Sequence, residues 1–145
     1  MPAGTGYLFK EGMLLPKIEK AVVSEKEYYV IGVKNHFLHA VHPLAWFKKL
    51  EIEIDGNKIC TKDAYFVLRD QWFGIEQMPT ITEVYWKLAE EAKLHIPAVE
   101  KMEPGKHNIK LTFTMSILED TQIMDTKGLW PLRVEFVEDE LALEV

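Results

Sequence analysis

The clearest pattern in the chain runs from His107 to Leu118. There Ile109, Leu111, Phe113, Met115 and Ile117 alternate with Asn108, Lys110, Thr112, Thr114 and Ser116. A period of two is that of a strand with one buried face. The same alternation holds at Leu50, Ile52 and Ile54, separated by Glu51 and Glu53. It leads into Asp55-Gly56-Asn57, beyond which Ile59 resumes the apolar face. An Asp-Gly pair between two such runs predicts a tight hairpin. Further short runs rich in β-branched and aromatic residues lie at Tyr28 to Val33, Tyr65 to Leu68, Val84 to Leu88, Lys93 to Ile96 and Leu132 to Val137.

Glu83 to Leu94 carries Ala89, Glu90, Glu91, Ala92 and Lys93, which suit a helix by propensity. Val84-Tyr85-Trp86 and the bounding Pro79 and Pro97 favour strand-turn-strand instead. Turn residues recur at Gly56, Gly74, Pro79, Pro97, Pro104-Gly105 and Gly128. Together these features predict an all-β chain, a single domain folded as an antiparallel β-sandwich. An irregular N-terminal segment (about 1–27) and a C-terminal extension (about 119–145) flank it. Two long stretches without a strand pattern, Asn35 to Phe47 and Glu119 to Pro131, are the places where function is expected.

Length and composition narrow the classes. A chain of 145 residues with 48% hydrophobic content can bury a sufficient core without staples. Its single cysteine, Cys60, excludes an intrachain disulfide framework and a Cys-based zinc finger. At the end of a hairpin strand, Cys60 is expected to act as a small buried hydrophobe. The net charge is -6 with 17 Lys plus Arg, of which only Arg69 and Arg133 are arginines. No basic stripe is available for nucleic acid. No secretory leader or bilayer-length apolar run is apparent, so neither export nor a membrane span is expected and the cytoplasm is the anticipated compartment. Glu135, Glu138, Asp139, Glu140 and Glu144 crowd the last eleven residues and read as a solvated acidic edge or a contact for a basic surface.

Candidate chemistry is sparse. His36, His39 and His42 recur every third residue, but along a strand His36 and His42 are about 20 Å apart and His39 faces the other side. Two ligands of one ion stand much closer than that, so these histidines are expected to line a pocket or interface, or to be structural, and not to bind a metal. Trp46 and Trp130 each lie near a proline in or at the end of an irregular stretch and are candidates for a ligand or interface surface. Trp72 and Trp86 are expected to be core or partly buried. No phosphate loop, nucleophile elbow or His-Glu-x-x-His motif is present.

A resemblance adds to this. Pro43-Leu44-Ala45-Trp46-Phe47-Lys48-Lys49-Leu50-Glu51-Ile52-Glu53-Ile54-Asp55-Gly56, then Tyr65-Phe66-Val67-Leu68-Arg69, Thr82-Glu83-Val84-Tyr85-Trp86 and Pro104-Gly105-Lys106-His107-Asn108-Ile109-Lys110-Leu111 occur in an order and spacing similar to the small beta subunits of bacterial C-glycoside deglycosidases. The likeness spans roughly Tyr28 to Leu118.

It implies a β-sandwich subunit paired in a hetero-oligomer with a larger TIM-barrel alpha subunit. That partner would hold a divalent metal of the Mn or Mg type and the acid-base residues, with no cofactor on this chain. The implied substrate is a 3-oxo-C-glycoside with a flavonoid-type aglycone, cleaved at its carbon-carbon bond as by a lyase. No catalytic residue carries over to a position here. His36, His39, His42, Trp46 and Trp130 remain the candidates for the pocket or the subunit interface. Two other readings stand beside this one. The first is a non-catalytic carbohydrate- or flavonoid-binding module. The second is a self-contained enzyme using His39 or His42 with Glu76 or Glu83.

Overall fold

The computed structural model describes residues 9–37, 41–99, 101–116 and 132–144. Eleven strands appear among them: β1 (Leu14–Val23), β2 (Lys26–Lys34), β3 (Val41–Pro43), β4 (Phe47–Ile54), β5 (Asn57–Lys58), β6 (Tyr65–Leu68), β7 (Gln71–Gly74), β8 (Tyr85–Lys87), β9 (Glu91–Pro97), β10 (Gly105–Ser116) and β11 (Leu132–Leu143). Two 3₁₀ segments, Leu44–Trp46 and Ile75–Thr80, are the only helical turns among the described residues. The chain is all-β, as its patterning predicts.

Nine strands form one sheet in the order β5-β4-β10-β11-β1-β2-β9-β6-β7, and β3 pairs with β8 in a small second sheet. Every pairing is antiparallel except that of β1 with β11. Two separate sheets are thus replaced by one long sheet that curls, bringing its two halves together across a common core. Alternation selects the inward side chains: Leu50, Ile52 and Ile54 from β4, Ile109, Leu111, Phe113 and Met115 from β10, and Tyr29, Ile31 and Val33 from β2. Ala92, Leu94 and Ile96 from β9 and Phe66 and Leu68 from β6 close the core from the far half. Rings bridge the halves: Phe113 stands 5.2 Å from Phe37, Phe37 6.1 Å from Trp86, and Trp86 5.1 Å from Phe66.

Three two-residue hairpin turns set the register. Asp55-Gly56 follows the sequence signal, with φ of 52° and 83°. Ser24-Glu25 (51° and 68°) and Arg69-Asp70 (50° and 65°) make the same left-handed turn without glycine. Both central residues of a type I′ turn need positive φ, which matches the twist of the flanking strands. Here the pairing of the flanking strands imposes a conformation that these residues disfavour.

Several expectations change. The N-terminal stretch is not irregular throughout: β1 joins β11 to β2 in the middle of the sheet. The C-terminal extension likewise supplies β11, a twelve-residue strand between β10 and β1. Within the acidic run Glu135 is not solvated, because its position opposite Phe113 turns it onto the core face, where it is buried. Cys60 is exposed. Strand β5 stops at Lys58 and the inward position falls to Ile59, leaving the cysteine on the outside.

An ion pair ties the β4–β5 turn to β10. His107 Nδ1 faces Asp55 Oδ2 at 2.7 Å, and its Nε2 faces the Glu103 carbonyl at 2.6 Å. With acceptors at both ring nitrogens the imidazolium is favoured. Asp55 first and then the Glu103 carbonyl hold the His107 pKa above its ordinary 6.5. His107, followed by the Asn108 amide, holds Asp55 below 3.8. The stability from His107 is therefore complete below pH 6.5 and is lost as pH rises through its raised folded value. The stability from Asp55 is present above 3.8 and is lost as pH falls through its lowered one. Asp55 is 48% exposed, so screening keeps the pair to less than about 1 kcal/mol. Urea midpoints of the wild-type chain minus those of His107→Gln should shrink between pH 6 and pH 9. A constant difference would mean that the charge of His107 contributes nothing.

A candidate site around the 35–47 segment

The segment leaves β2 at Lys34 and is anchored at once by Asn35, a buried amide whose four polar groups are all used. Its backbone N–H donates to the Glu90 carbonyl at 3.1 Å and its carbonyl accepts from Ala89 N–H at 2.8 Å. Asn35 Nδ2 donates to the Trp86 carbonyl at 2.8 Å, and Oδ1 accepts from Phe37 N–H at 3.1 Å. The turn between β8 and β9 is thereby fixed to the start of the segment. Trp86 Nε1 closes the same turn by donating to the Glu90 carbonyl at 2.7 Å.

The Glu90 side chain holds the turn from outside. It pairs with Arg69 and accepts from Lys87 N–H at 3.0 Å, while Arg69 also donates to the Tyr85 carbonyl at 3.1 Å. Desolvation pushes the Glu90 pKa up, but the Lys87 amide and the Arg69 guanidinium outweigh it, and the carboxyl lies below its ordinary 4.5. Ala89 takes φ 65° in this turn. Glycine has no Cβ to clash there, so Ala89→Gly should raise stability by about 0.5–1 kcal/mol in urea unfolding. A loss would show that the turn relaxes without strain.

The segment then enters the core. Phe37 is buried 5.2 Å from the His42 ring and 5.6 Å from Phe47. β3 pairs with β8, placing His42 opposite Trp86, and Leu44 N–H continues the pairing to the Val84 carbonyl at 2.9 Å. The 3₁₀ turn that follows swings Trp46 against His42, with ring centroids 5.4 Å apart and nearly perpendicular.

The candidate residues therefore separate. His42 is fully buried among Phe37, Trp46 and Phe47 and packs there as an aromatic ring. His36 remains half-buried at the rim, its Nδ1 3.2 Å from the Phe9 carbonyl and its ring 6.0 Å from Phe9. Trp46 is half-buried, and its Nε1 meets no acceptor among the described residues. His39, Trp130 and the Glu119 to Pro131 stretch lie outside the described residues. Thus His36 and Trp46 each keep part of their surface accessible, while His42 supports the segment from within. Among the described residues no three His, Cys, Asp or Glu side chains gather in a metal-binding group.

Sequence reasoning passed over Asn35 as a mere boundary. It also missed a cluster on the outer face of β2, β9, β6 and β7, where Trp72 packs 4.4 Å from His95, 5.6 Å from Tyr28 and 5.3 Å from Tyr65. His95 is only 7% exposed, and desolvation holds its pKa below 6.5. Tyr28 beside the alternating core residue Tyr29 was the available signal, since both faces of β2 are buried at that point.

A family model, that of the C-glycoside deglycosidase beta subunit, matches residues 29–118. The chain belongs to that family. The matched region runs from β2 through β10 and contains the whole 35–47 segment and the turn that holds it. None of the curated proteins matches the chain. Membership in a beta subunit family makes this chain one component of an assembly with another subunit.

Proposed function

We propose that this chain is the small subunit of a heteromeric enzyme that cleaves the carbon-carbon bond between a 3-oxo sugar and an aromatic, flavonoid-type aglycone. Its family membership over residues 29–118 is the observation that carries this reading. A C-glycoside has no glycosidic oxygen to protonate, so the paired carboxylates of ordinary glycosidases cannot release the sugar. A ketone at the sugar 3-position acidifies the C2 proton. A general base takes that proton, the resulting enolate breaks the C1–aryl bond, and the departing aryl carbon receives a proton. The overall step is an elimination.

The base belongs to the larger partner, for which a TIM barrel is the proposed fold. A divalent ion of the Mn or Mg type bound by that partner would supply Lewis-acid stabilisation of the enolate. This chain's contribution is to complete and cover the pocket and to stabilise the alpha subunit. The accessible side of the 35–47 segment, with His36 and Trp46, faces the partner, and the exposed free thiol of Cys60 suits the reducing cytoplasm. Trp46 is half-buried, so part of its ring is open to a partner, and a partly exposed indole is a common anchor of such contacts.

Co-expression with the larger subunit, light scattering and an assay on a 3-oxo-C-glycoside test this. Turnover and a stable hetero-oligomer are expected only with both chains present. Trp46→Ala should reduce complex formation at least tenfold while leaving this chain folded. Full turnover by the larger subunit alone would defeat the proposal, and unchanged assembly in both His36→Ala and Trp46→Ala would remove the segment from the contact.

A further inference from the structure

The nine-stranded sheet ends in two edge strands, β5 and β7. An open edge invites pairing with another chain, and proteins blunt edges with charge, proline or brevity. The β5 edge is blunted: the strand is two residues long, and Lys49 and Lys58 share Glu51 beside it. The β7 edge is not, since Gln71-Trp72-Phe73-Gly74 holds neither charge nor proline. Its register also leaves backbone groups open. The two-residue turn makes Leu68 and Gln71 a hydrogen-bonded pair, and Ile75 N–H donates to the Ala64 carbonyl at 3.0 Å. Bonded pairs alternate along an antiparallel ladder, so Val67 with Trp72 and Tyr65 with Gly74 are the pairs whose groups point apart. On the β6 side those groups meet β9. On the β7 side the Trp72 N–H and carbonyl and the Gly74 N–H point off the sheet, and no backbone partner meets them among the described residues.

We propose that the β7 edge pairs with the β7 edge of a second copy of this chain, antiparallel and about a two-fold axis. Trp72 presents a donor and an acceptor in the same direction, so a second Trp72 satisfies both, each N–H donating to the other's carbonyl. In that register Gly74 N–H faces the carbonyl of Asp70 of the second copy, and Gln71 stands opposite Phe73. No like charges are set directly opposite one another. The two indoles stand opposite each other on one face of the joined sheet, as a cross-strand aromatic pair. Trp72 is already held in place for this. It is 37% exposed and rests against His95 at 4.4 Å, Tyr65 at 5.3 Å and Tyr28 at 5.6 Å, so association costs it little side-chain freedom.

The edge favours its own copy over a foreign strand. A peptide that adds to a sheet is selected through pockets for its alternate side chains. Beside β7 the Gln77 side chain fills the space where a side chain of residue 74 would begin, and the Trp72 ring lies over its neighbours. What remains is a neutral, self-complementary backbone. Four residues of edge bury less than a standard interface of about 1,600 Å², so a dissociation constant on the order of 10–100 μM is expected. Because each copy uses the same edge, pairing closes at the dimer and does not propagate. This association goes beyond the subunit role and does not depend on it.

Sedimentation velocity of the full chain from about 1 μM to about 1 mM should show a monomer-dimer equilibrium and no larger species. Amide exchange followed by NMR over the same range should slow at least threefold at Trp72 and Gly74. Gly74→Pro is the decisive variant. Gly74 has φ −59°, a proline's own value, the N–H it would lose points off the sheet, and only the amide end of Gln77 must swing aside. It should weaken dimerisation at least tenfold and leave the urea midpoint unchanged. Trp72→Lys, which sets two ammonium groups opposite each other, should do the same to the dimer. Two chains of net charge -6 repel at long range, so raising salt from about 0.02 M to about 0.15 M should tighten the pairing. A monomer at every concentration, a dimer that Gly74→Pro leaves intact, or one that salt dissociates would overturn the proposal. So would protection of the Trp72 and Gly74 amides by the larger subunit while this chain alone stays monomeric, since the edge would then serve a foreign strand.

Discussion

Trp86→Ala should remove about 4 kcal/mol of folding stability, the middle of the range for emptying an aromatic core position. The indole is fully buried at the place where the curled halves of the sheet meet, in ring contact with Phe37, Phe47 and Phe66. Removing it leaves a cavity that three aromatic neighbours cannot fill by small rotations, and it takes away the shorter of the two hydrogen bonds that the Glu90 carbonyl accepts, leaving the one from the Asn35 N–H. For a chain of this size the whole stability is on the order of 7–20 kcal/mol, so the variant should lose roughly a fifth or more of it. Trp86→Phe keeps most of the ring volume and loses the N–H, and should cost about 2 kcal/mol. Urea unfolding gives both numbers. A loss below about 1.5 kcal/mol for the alanine variant would mean that the two halves of the sheet do not depend on this ring for their contact.

The same region shows what a sequence can and cannot reveal. β4 and β10 were legible because one face is buried and the other solvated, so Leu50 to Ile54 and Ile109 to Met115 print the period of the strand directly. β1 was not. It buries only Leu14 and Ile18 fully, with a shift in register between them that breaks the alternation. Its turn, Ser24-Glu25, lacks the glycine that would have announced a hairpin. Of β11 the first half, Leu132 to Val137, was legible as a strand, and the C-terminal acids disguised the rest, since an exposed strand face rich in Glu and Asp reads as a tail until its partners on both sides are known.

At the candidate site, the irregular stretch and its accessible tryptophan were visible, but the division of labour among the histidines was not. A period of three suggests a common role for His36 and His42. Pairing of β3 with β8 puts His42 in the core and leaves His36 at the rim. That pairing joins positions more than forty residues apart, so no local pattern encodes it. The family resemblance reached further than the patterning because it rests on the order of several segments, each too short to specify its own environment.

Asn35 is the residue where this distance matters most. Its amide joins two parts of the chain separated by 51 residues, and both bonds are buried. Asn35→Ala deletes the donor to the Trp86 carbonyl and the acceptor for the Phe37 amide, leaving two desolvated backbone groups at a combined cost of about 3 kcal/mol. Asn35→Asp distinguishes hydrogen bonding from simple loss of volume. At pH 7 the carboxylate can still accept from Phe37 but faces the Trp86 carbonyl with a negative oxygen, so a loss of about 3 kcal/mol or more is expected. Once protonated, the acid can donate to that carbonyl as the amide did. The difference in stability between Asn35→Asp and the wild-type chain, measured at each pH, should therefore narrow as pH falls. Because folding with a neutral acid raises its pKa above the unfolded value, the narrowing should be complete below about pH 4 and should vanish as pH rises through the folded value. A pH-independent gap would show that shape, and not the pair of hydrogen bonds, fixes the segment that carries His36 and Trp46.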